Sequence, residues 1–368
     1  MTKEGRTADM AVAEGRATLQ DVAERARVST ATVSRVLNGN YPVAAETRKR
    51  VEKAVRALGY VANAHARALA GVTSRTVGVV VSEIVDPFFS LIVHGIQREA
   101  AAAGRICLIG STLGEEHREL EIIELLYEQR AEAVILVGGA LLDERHQSKL
   151  AGRAKAMAAA GSKLVLCGRP PLAAPAPSAA VHYDNEHGAL NATDHLMGLG
   201  HRRILYLGGW PGISTQRDRV AGYRLAHERR GLKVDPELVV EGEFSRRFGY
   251  ERTARALADA LDFTAILAAN DATAAGALQA LRDGGRRVPD DVSVVGYDDV
   301  PVAAETVPAL TTVHIPLQEM GRAAVRLAVG PQDTGRKGDW SDDGPSQGSL
   351  VLGTHLVLRG STAPAPVG

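Results

Sequence analysis

At 368 residues the chain has room for two or three folding units. A composition 45 % hydrophobic, rich in Ala and Gly and only 4 % aromatic, excludes a disordered chain and suits packed α/β domains. The net formal charge is zero, but residues 1–75 hold 13 Lys and Arg against 7 Asp and Glu, a surplus of +6, which leaves −6 for the rest; a basic head on an acidic body confines a polyanion partner to the head.

The first 17 residues, "MTKEGRTADMAVAEGRA", read as a flexible extension without the apolar core of a signal peptide. No apolar run reaches the roughly 18 residues of a membrane span, so the expected location is the cytoplasm. In "TLQDVAERARVSTATVSRVLNGN" (18–40), Leu19, Val22, Ala23 and Ala26 make one apolar stripe at helical spacing, with Thr18 placed to cap its start. Arg27–Ser29 forms a turn, and Ser29 can cap a second helix whose Val33, Val36 and Leu37 face inward. The opposite face shows Thr30, Ala31, Thr32, Ser34, Arg35 and Asn38, small and polar around one long cation, which lets the helix approach another polymer closely. Gly39 ends it. A third helix, Glu46 to Leu58, carries the stripe Val51, Ala54, Val55 and Leu58 and stops at Gly59. The three stripes can bury one another, so residues 18–61 are predicted to form a small all-α domain.

The stretch "TLQDVAERARVSTATVSRVLNG…VAAETRKRVEKAVRALGY" resembles the helix-turn-helix head of the LacI/GalR family of bacterial transcription repressors over roughly residues 18–71. Two positions depart from that pattern. Arg27 stands where the family usually has Gly, and Ala44 stands where Ser usually caps the third helix, a loss of about 1 kcal/mol. The resemblance implies a second helix in the major groove, with Thr30, Ala31 and Arg35 reading bases and Arg35 as the guanine reader. Thr18, Ser29, Thr32, Ser34 and Asn38 would hold phosphates, which position the head without specifying sequence. Residues 62–74 are the expected hinge and linker; a piece this short is no helix alone in water. The resemblance implies that the hinge folds on DNA, paired across a dimer, with Leu69 pushed into the minor groove and Asn63, Ala66 and Arg67 beside it.

From residue 75 to about 360 strands and helices alternate. Apolar β-branched runs recur at 76–81, 105–110, 131–137 and 163–168, and again at 179–184, 202–209, 237–242, 264–270 and 291–299, with helical stretches between them. Continuous apolar strands joined by helices predict parallel sheets covered on both faces, and two such series, split near "RPPLAAPAPSAA" (169–180), predict two doubly wound subdomains. Cys107 and Cys167 lie inside apolar runs and read as buried small hydrophobes, not ligands. The polar "PQDTGRKGDWSDDGPSQGS" (331–349) reads as a surface loop before a last strand, "LVLGTHLVL".

This body, through "DPFFSLIVHGI", "LGHRRILYLGG", "RVAGYRLA", "AANDATAAGAL" and "VSVVGYDDV", is similar to the periplasmic-binding-protein-like effector domain that follows the head in the same family. The resemblance implies three crossings between subdomains, near 181, 313 and 345. Subdomain one is then about 75–180 and 314–342, subdomain two about 181–313 and 348–360, and 361–368 a tail. An effector would bind between them, at the carboxyl ends of the strands.

Arg219, Asn270 and Asp298 fall just past a strand or at a helix start, and the resemblance makes them polar contacts to the effector, with Asp271 close by. A forked cation, an amide and a carboxylate suit neighbouring sugar hydroxyls. Phe244 matches a position where an aromatic stacks on the ligand, Phe88 and Phe89 would close the opposite side, and Arg169 can reach in after its strand. The purine-binding branch of the family uses an Arg–x–Thr ahead of the position of Arg219, whereas this chain reads "ISTQRDR" with Ile213 there, which favours a sugar. A regulator responding to purines or other metabolites, and a solute-binding protein for transport, are the alternatives; the latter lacks a reason for the basic head. No dinucleotide, phosphate-loop, nucleophile-elbow or zinc-protease motif occurs, so no enzyme, cofactor or metal is expected. The expected partners are a pseudo-palindromic operator, a second copy of the chain and a small effector.

Overall fold

The computed structural model describes residues 17–38, 42–60, 75–115, 117–172, 176–330 and 348–366, and of Asn38 the backbone alone. The chain divides into two compact units, residues 1–74 and 75–368.

In the first unit, α1 (Leu19–Ala26), α2 (Thr30–Asn38) and α3 (Ala45–Ala57) bury the predicted stripes against each other. Val22, Ala23, Ala26, Val33, Val36, Val51 and Ala54 are its core, with Leu19, Leu37, Val55 and Leu58 packed around it. Thr18 and Asp21 form a capping box at the start of α1. Arg27 sits at φ 54° and ψ 51° in the tight turn, the left-handed conformation that glycine adopts without a steric penalty. Ala44 begins α3 without a side-chain cap.

The second unit holds two six-stranded sheets. The first is built from β1 (Thr76–Val81), β2 (Ile106–Ser111), β3 (Ala133–Val137), β4 (Lys163–Cys167), β5 (Ser178–Tyr183) and a late strand, β11 (Ser349–Leu352). Its order is β11-β5-β4-β3-β1-β2, all parallel. The second contains β6 (Ile204–Leu207), β7 (Val239–Val240), β8 (Ala265–Ala268), β9 (Ser293–Asp298), β10 (Thr311–His314) and β12 (His355–Val357), in the order β12-β10-β9-β8-β6-β7. Only β12 runs antiparallel, against β10. Central strands such as β3 are buried at every residue, which is why they read as unbroken apolar runs.

Helices α4 (Pro87–Ala102), α5 (Arg118–Glu128), α6 (Glu144–Ala159) and α12 (Leu317–Val329) cover the first sheet, and α7 (Asn185–Gly198), α8 (Ser214–Arg229), α9 (Arg246–Ala258) and α10 (Asp271–Asp283) the second. A single short turn of helix, α11 (Val302–Glu305), follows β9.

Three expectations are corrected. The 179–184 run, read as the first strand of the second series, is β5 and pairs with β4 in the first sheet. "LVLGTHLVL" is two strands in two sheets: β11 pairs with β5, so residues 348–352 belong to subdomain one, and the third crossing falls at Gly353–Thr354. Each half supplies an outer strand to a different sheet, which a continuous apolar pattern cannot disclose. The tail predicted from 361 is docked: Ser361 is fully buried and bonds Val294 and Thr311, while Ala365 donates to the Leu199 carbonyl.

Candidate functional site

In the head, the capping box occupies Thr18, whose hydroxyl donates to Asp21 Oδ2 at 2.8 Å and accepts from the Asp21 amide. Ser29 likewise accepts from the Thr32 amide at 3.2 Å, and the two hydroxyls lie 3.0 Å apart. The first pair closes the start of α1, and the second caps α2 where it leaves the turn. Thr30, Ala31 and Arg35 are exposed along one side of α2, with Thr32 and Ser34 half-buried beside them. The side chain of Asn38, and all of Asn63, Ala66, Arg67 and Leu69, lie outside the described residues.

In the body, strand order reverses between β1 and β3 of the first sheet and between β6 and β8 of the second. Loops leaving neighbouring strands diverge at such points and open a crevice at the carboxyl ends. A cleft of about 680 Å³ lies there, lined by loops of both subdomains.

Arg219, from α8, is its deepest cation. Nε donates to Asn185 Oδ1 at 2.8 Å, Nη2 to Tyr183 Oη at 3.2 Å and to Asp298 Oδ1 at 3.0 Å, and Nη1 to the Ala269 carbonyl. Its guanidinium also lies 3.7 Å from the centre of the Tyr297 ring. Four of its five N–H groups are thus committed. Burial would lower its pKa, but Asp298 and the tyrosines outweigh that and hold it above its ordinary value. Asp298 is pushed up to about 7, because burial outweighs the attraction of Arg219. Asp298 and Asp299 both have left-handed backbones, φ 102° and 58°, strain that is held by Asp299 bonding Arg359 and His314.

Arg169, 4 % exposed, forms a bidentate pair with Glu119 (3.1 and 2.9 Å) and donates to the Gly138 carbonyl at 2.9 Å. Burial alone would raise Glu119; Arg169 and His146 outweigh it and hold the carboxyl at about 2. Asn270 caps α10 by accepting from the Thr273 amide and donates to the Phe244 carbonyl at 3.4 Å. Phe88 and Phe89 meet edge to face, ring centres 5.1 Å apart, and line the cleft opposite Phe244.

The cleft therefore gathers Phe88, Phe89, Arg169, Arg219, Phe244, Asn270 and Asp298. It does not gather Asp271. That residue is fully buried, and its carboxylate accepts from the Val300 amide at 2.8 Å and the Thr312 hydroxyl at 2.6 Å. As the first residue of α10 it turns toward β10, through space left by Gly296, where a Cβ would lie 2.3 Å from its Oδ1. Sequence reasoning missed Glu83, Asp86, Trp210, Thr215, Glu243 and Ser245, which also line the cleft. Each stands a few residues past a strand or just inside the following helix, so position after a strand was the available signal.

Comparison with known proteins agrees with this architecture. Residues 18–63 match the model for bacterial regulatory proteins of the lacI family, and residues 193–362 that for the periplasmic binding protein-like domain. The chain is 37 % identical over 317 residues to the HTH-type transcriptional regulator GalR of Escherichia coli K12, covering 86 % of this chain and 90 % of that protein. It is 34 % identical over 362 residues to the transcriptional repressor CytR of the same strain, covering 96 % and 98 %. Among solved structures, the lac repressor dimer bound to operator and the anti-inducer ONPF superposes with a TM-score of 0.78 at 28 % identity, over 95 % of this chain and all of that one. A CelR–cellobiose complex gives 0.66 at 34 % identity over 94 % and all. With the capped helix-turn-helix and the two-subdomain cleft, these matches establish that the chain belongs to the lacI family of bacterial regulatory proteins, DNA-binding transcriptional regulators and not enzymes.

Proposed function

We propose that the chain is a cytoplasmic, homodimeric repressor whose operator affinity is set by a neutral sugar in the cleft. Thr30, Ala31 and Arg35 read bases; Thr18, Ser29, Thr32, Ser34 and Asn38 hold phosphates; Asn63, Ala66, Arg67 and Leu69 serve the minor groove. The cleft charge carries the effector reading. Glu83, Asp86, Glu119, Glu243 and Asp298 face two guanidiniums, Arg169 and Arg219, and each guanidinium is already engaged by a carboxylate. An anionic ligand meets a carboxylate surplus, whereas hydroxyls find acceptors and an aromatic wall. Phe88, Phe89 and Phe244 supply that wall.

The sugar acts only through different affinities for the two subdomain arrangements, and the same coupling sets operator affinity. The test is a fluorescence-anisotropy titration on a palindromic operator at fixed salt, with neutral sugars, sugar phosphates and purines. A neutral sugar should shift operator affinity and its phosphate ester should not. Arg35→Ala should lose about 1–3 kcal/mol of specific binding, with non-specific binding nearly unchanged. A response confined to purines or phosphates sinks the effector reading; an unchanged operator affinity in Arg35→Ala sinks the base-reading role.

A further inference from the structure

The cleft is graded from a buried polar floor to an uncovered aromatic rim. Arg219, Asp298 and Asn270 are 2 %, 4 % and 5 % exposed, whereas Trp210, which also lines the cleft, is 51 % exposed. A large indole half in water at the mouth of an otherwise polar-floored cleft offers an aromatic face and a donor to whatever enters. No hydrogen bond among the described residues uses its indole N–H, which stays available as a donor.

The backbone beneath Trp210 is fixed from both subdomains. Within subdomain two, Gly208 N–H donates to the Val240 carbonyl at 2.9 Å, and Gly242 N–H to the Gly209 carbonyl at 3.0 Å. From subdomain one, Leu142 N–H donates to the Gly212 carbonyl at 2.8 Å. Gly209 itself sits at φ 93° against the Gln216 amide, where a Cβ would come within 1.7 Å of the side chain. The rim platform is thus held in place before ligand arrives, which cuts the ordering cost of binding.

We propose that Trp210 is an outer sugar platform and that the effector is a disaccharide, not a monosaccharide; this rests on the sugar reading of the cleft. One ring sits on the Arg219–Asp298–Asn270 floor against Phe244, and a second ring covers the Trp210 indole at the mouth. A single pyranose fills only a fraction of about 680 Å³ and leaves the indole in water. The carboxylate surplus disfavours acidic or phosphorylated rings at either place.

Calorimetric titration of the full chain with matched pairs tests this: glucose and cellobiose, galactose and lactose, xylose and xylobiose, mannose and mannobiose. For one pair the disaccharide should bind about 10-fold or more tighter than its monosaccharide. Trp210→Ala should abolish that advantage by weakening the disaccharide about 10-fold more than the monosaccharide, while Trp210→Phe should keep most of it. A second readout needs no variant of the platform. The chain has two tryptophans, so in Trp340→Phe the emission reports Trp210 alone and should change with the disaccharide only. Equal binding of both members of a pair, with Trp210→Ala affecting neither, overturns the outer platform and leaves the sugar reading standing. Binding of no sugar in the panel overturns both.

Discussion

At the scale of single residues, Asp298 concentrates the chemistry of the cleft. Burial pushes its carboxyl up to about 7, against the opposing pull of Arg219 3.0 Å away. Between its ordinary value near 4 and about 7 the folded chain therefore holds a proton that the unfolded chain has released. This group's contribution to folding stability falls as pH rises through that window. Ligand binding runs the other way. Above pH 7 the ionised carboxylate is a charge-assisted acceptor for a sugar hydroxyl, and below it a neutral acid. Sugar affinity should rise about 5-fold from pH 6 to pH 8, and Asp298→Asn should bind more weakly with a flat profile. The same slope in Asp298→Asn would count against this carboxyl as its source. Asn270 and Asp298 were legible in sequence because they stand at the carboxyl ends of apolar strands, whereas Arg219, inside α8, was indicated by the resemblance. Their partners were not legible. Asn185, Tyr183 and Ala269, which hold Arg219, come from different elements, and Asp271 could be told from Asn270 only by which way it turns.

At the scale of elements, helices on each sheet approach so closely that glycine is required at the crossings. A Cβ at Gly276 of α10 would lie 2.0 Å from the Arg246 carbonyl of α9, and one at Gly249 would lie 2.0 Å from the Thr273 carbonyl. The α4–α12 pair repeats this with Gly95 and Gly321, at 2.1 and 2.2 Å from facing carbonyls. Gly276→Ala must push the α9 backbone aside and should cost about 1–3 kcal/mol in denaturant unfolding. A midpoint equal to that of the parent would show that the pair has slack. Sequence placed nearly every helix and strand, since buried parallel strands advertise themselves as β-branched runs. It overextended the 237–242 strand, of which two residues pair, because a 3-10 turn at Pro236–Leu238 takes up part of the apolar run.

At the scale of the whole body, the subdomains are clasped across the cleft. Leu141 and Ile213 form an isolated antiparallel bridge, Ser214 N–H donates to the Ala140 carbonyl at 2.8 Å, and Ala140 N–H donates to Ser214 Oγ at 3.0 Å. These bonds join the loops after β3 and β6, the two loops that frame the switch points. Ser214→Ala leaves the buried Ala140 amide without its hydroxyl acceptor and disfavours the clasped arrangement by about 1–2 kcal/mol. Sugar affinity should then fall about 5- to 30-fold, read by the same calorimetry. An unchanged dissociation constant would mean that ligand closure does not use this clasp.

The sequence by itself determined the family, the three-helix head, the alternation of strands and helices and the residue types of the cleft. Each of these is written in local spacing: helical stripes, caps, β-branched runs and the residues that follow them. Only the tertiary structure decided that "LVLGTHLVL" divides between two sheets, that Asp271 faces away from the cleft and that Trp210 stands at its mouth. It also decided that two distant loops clasp the subdomains together. Those outcomes depend on which strands become neighbours and on how far each side chain is from water. Local pattern does not encode such distances between residues far apart in the chain.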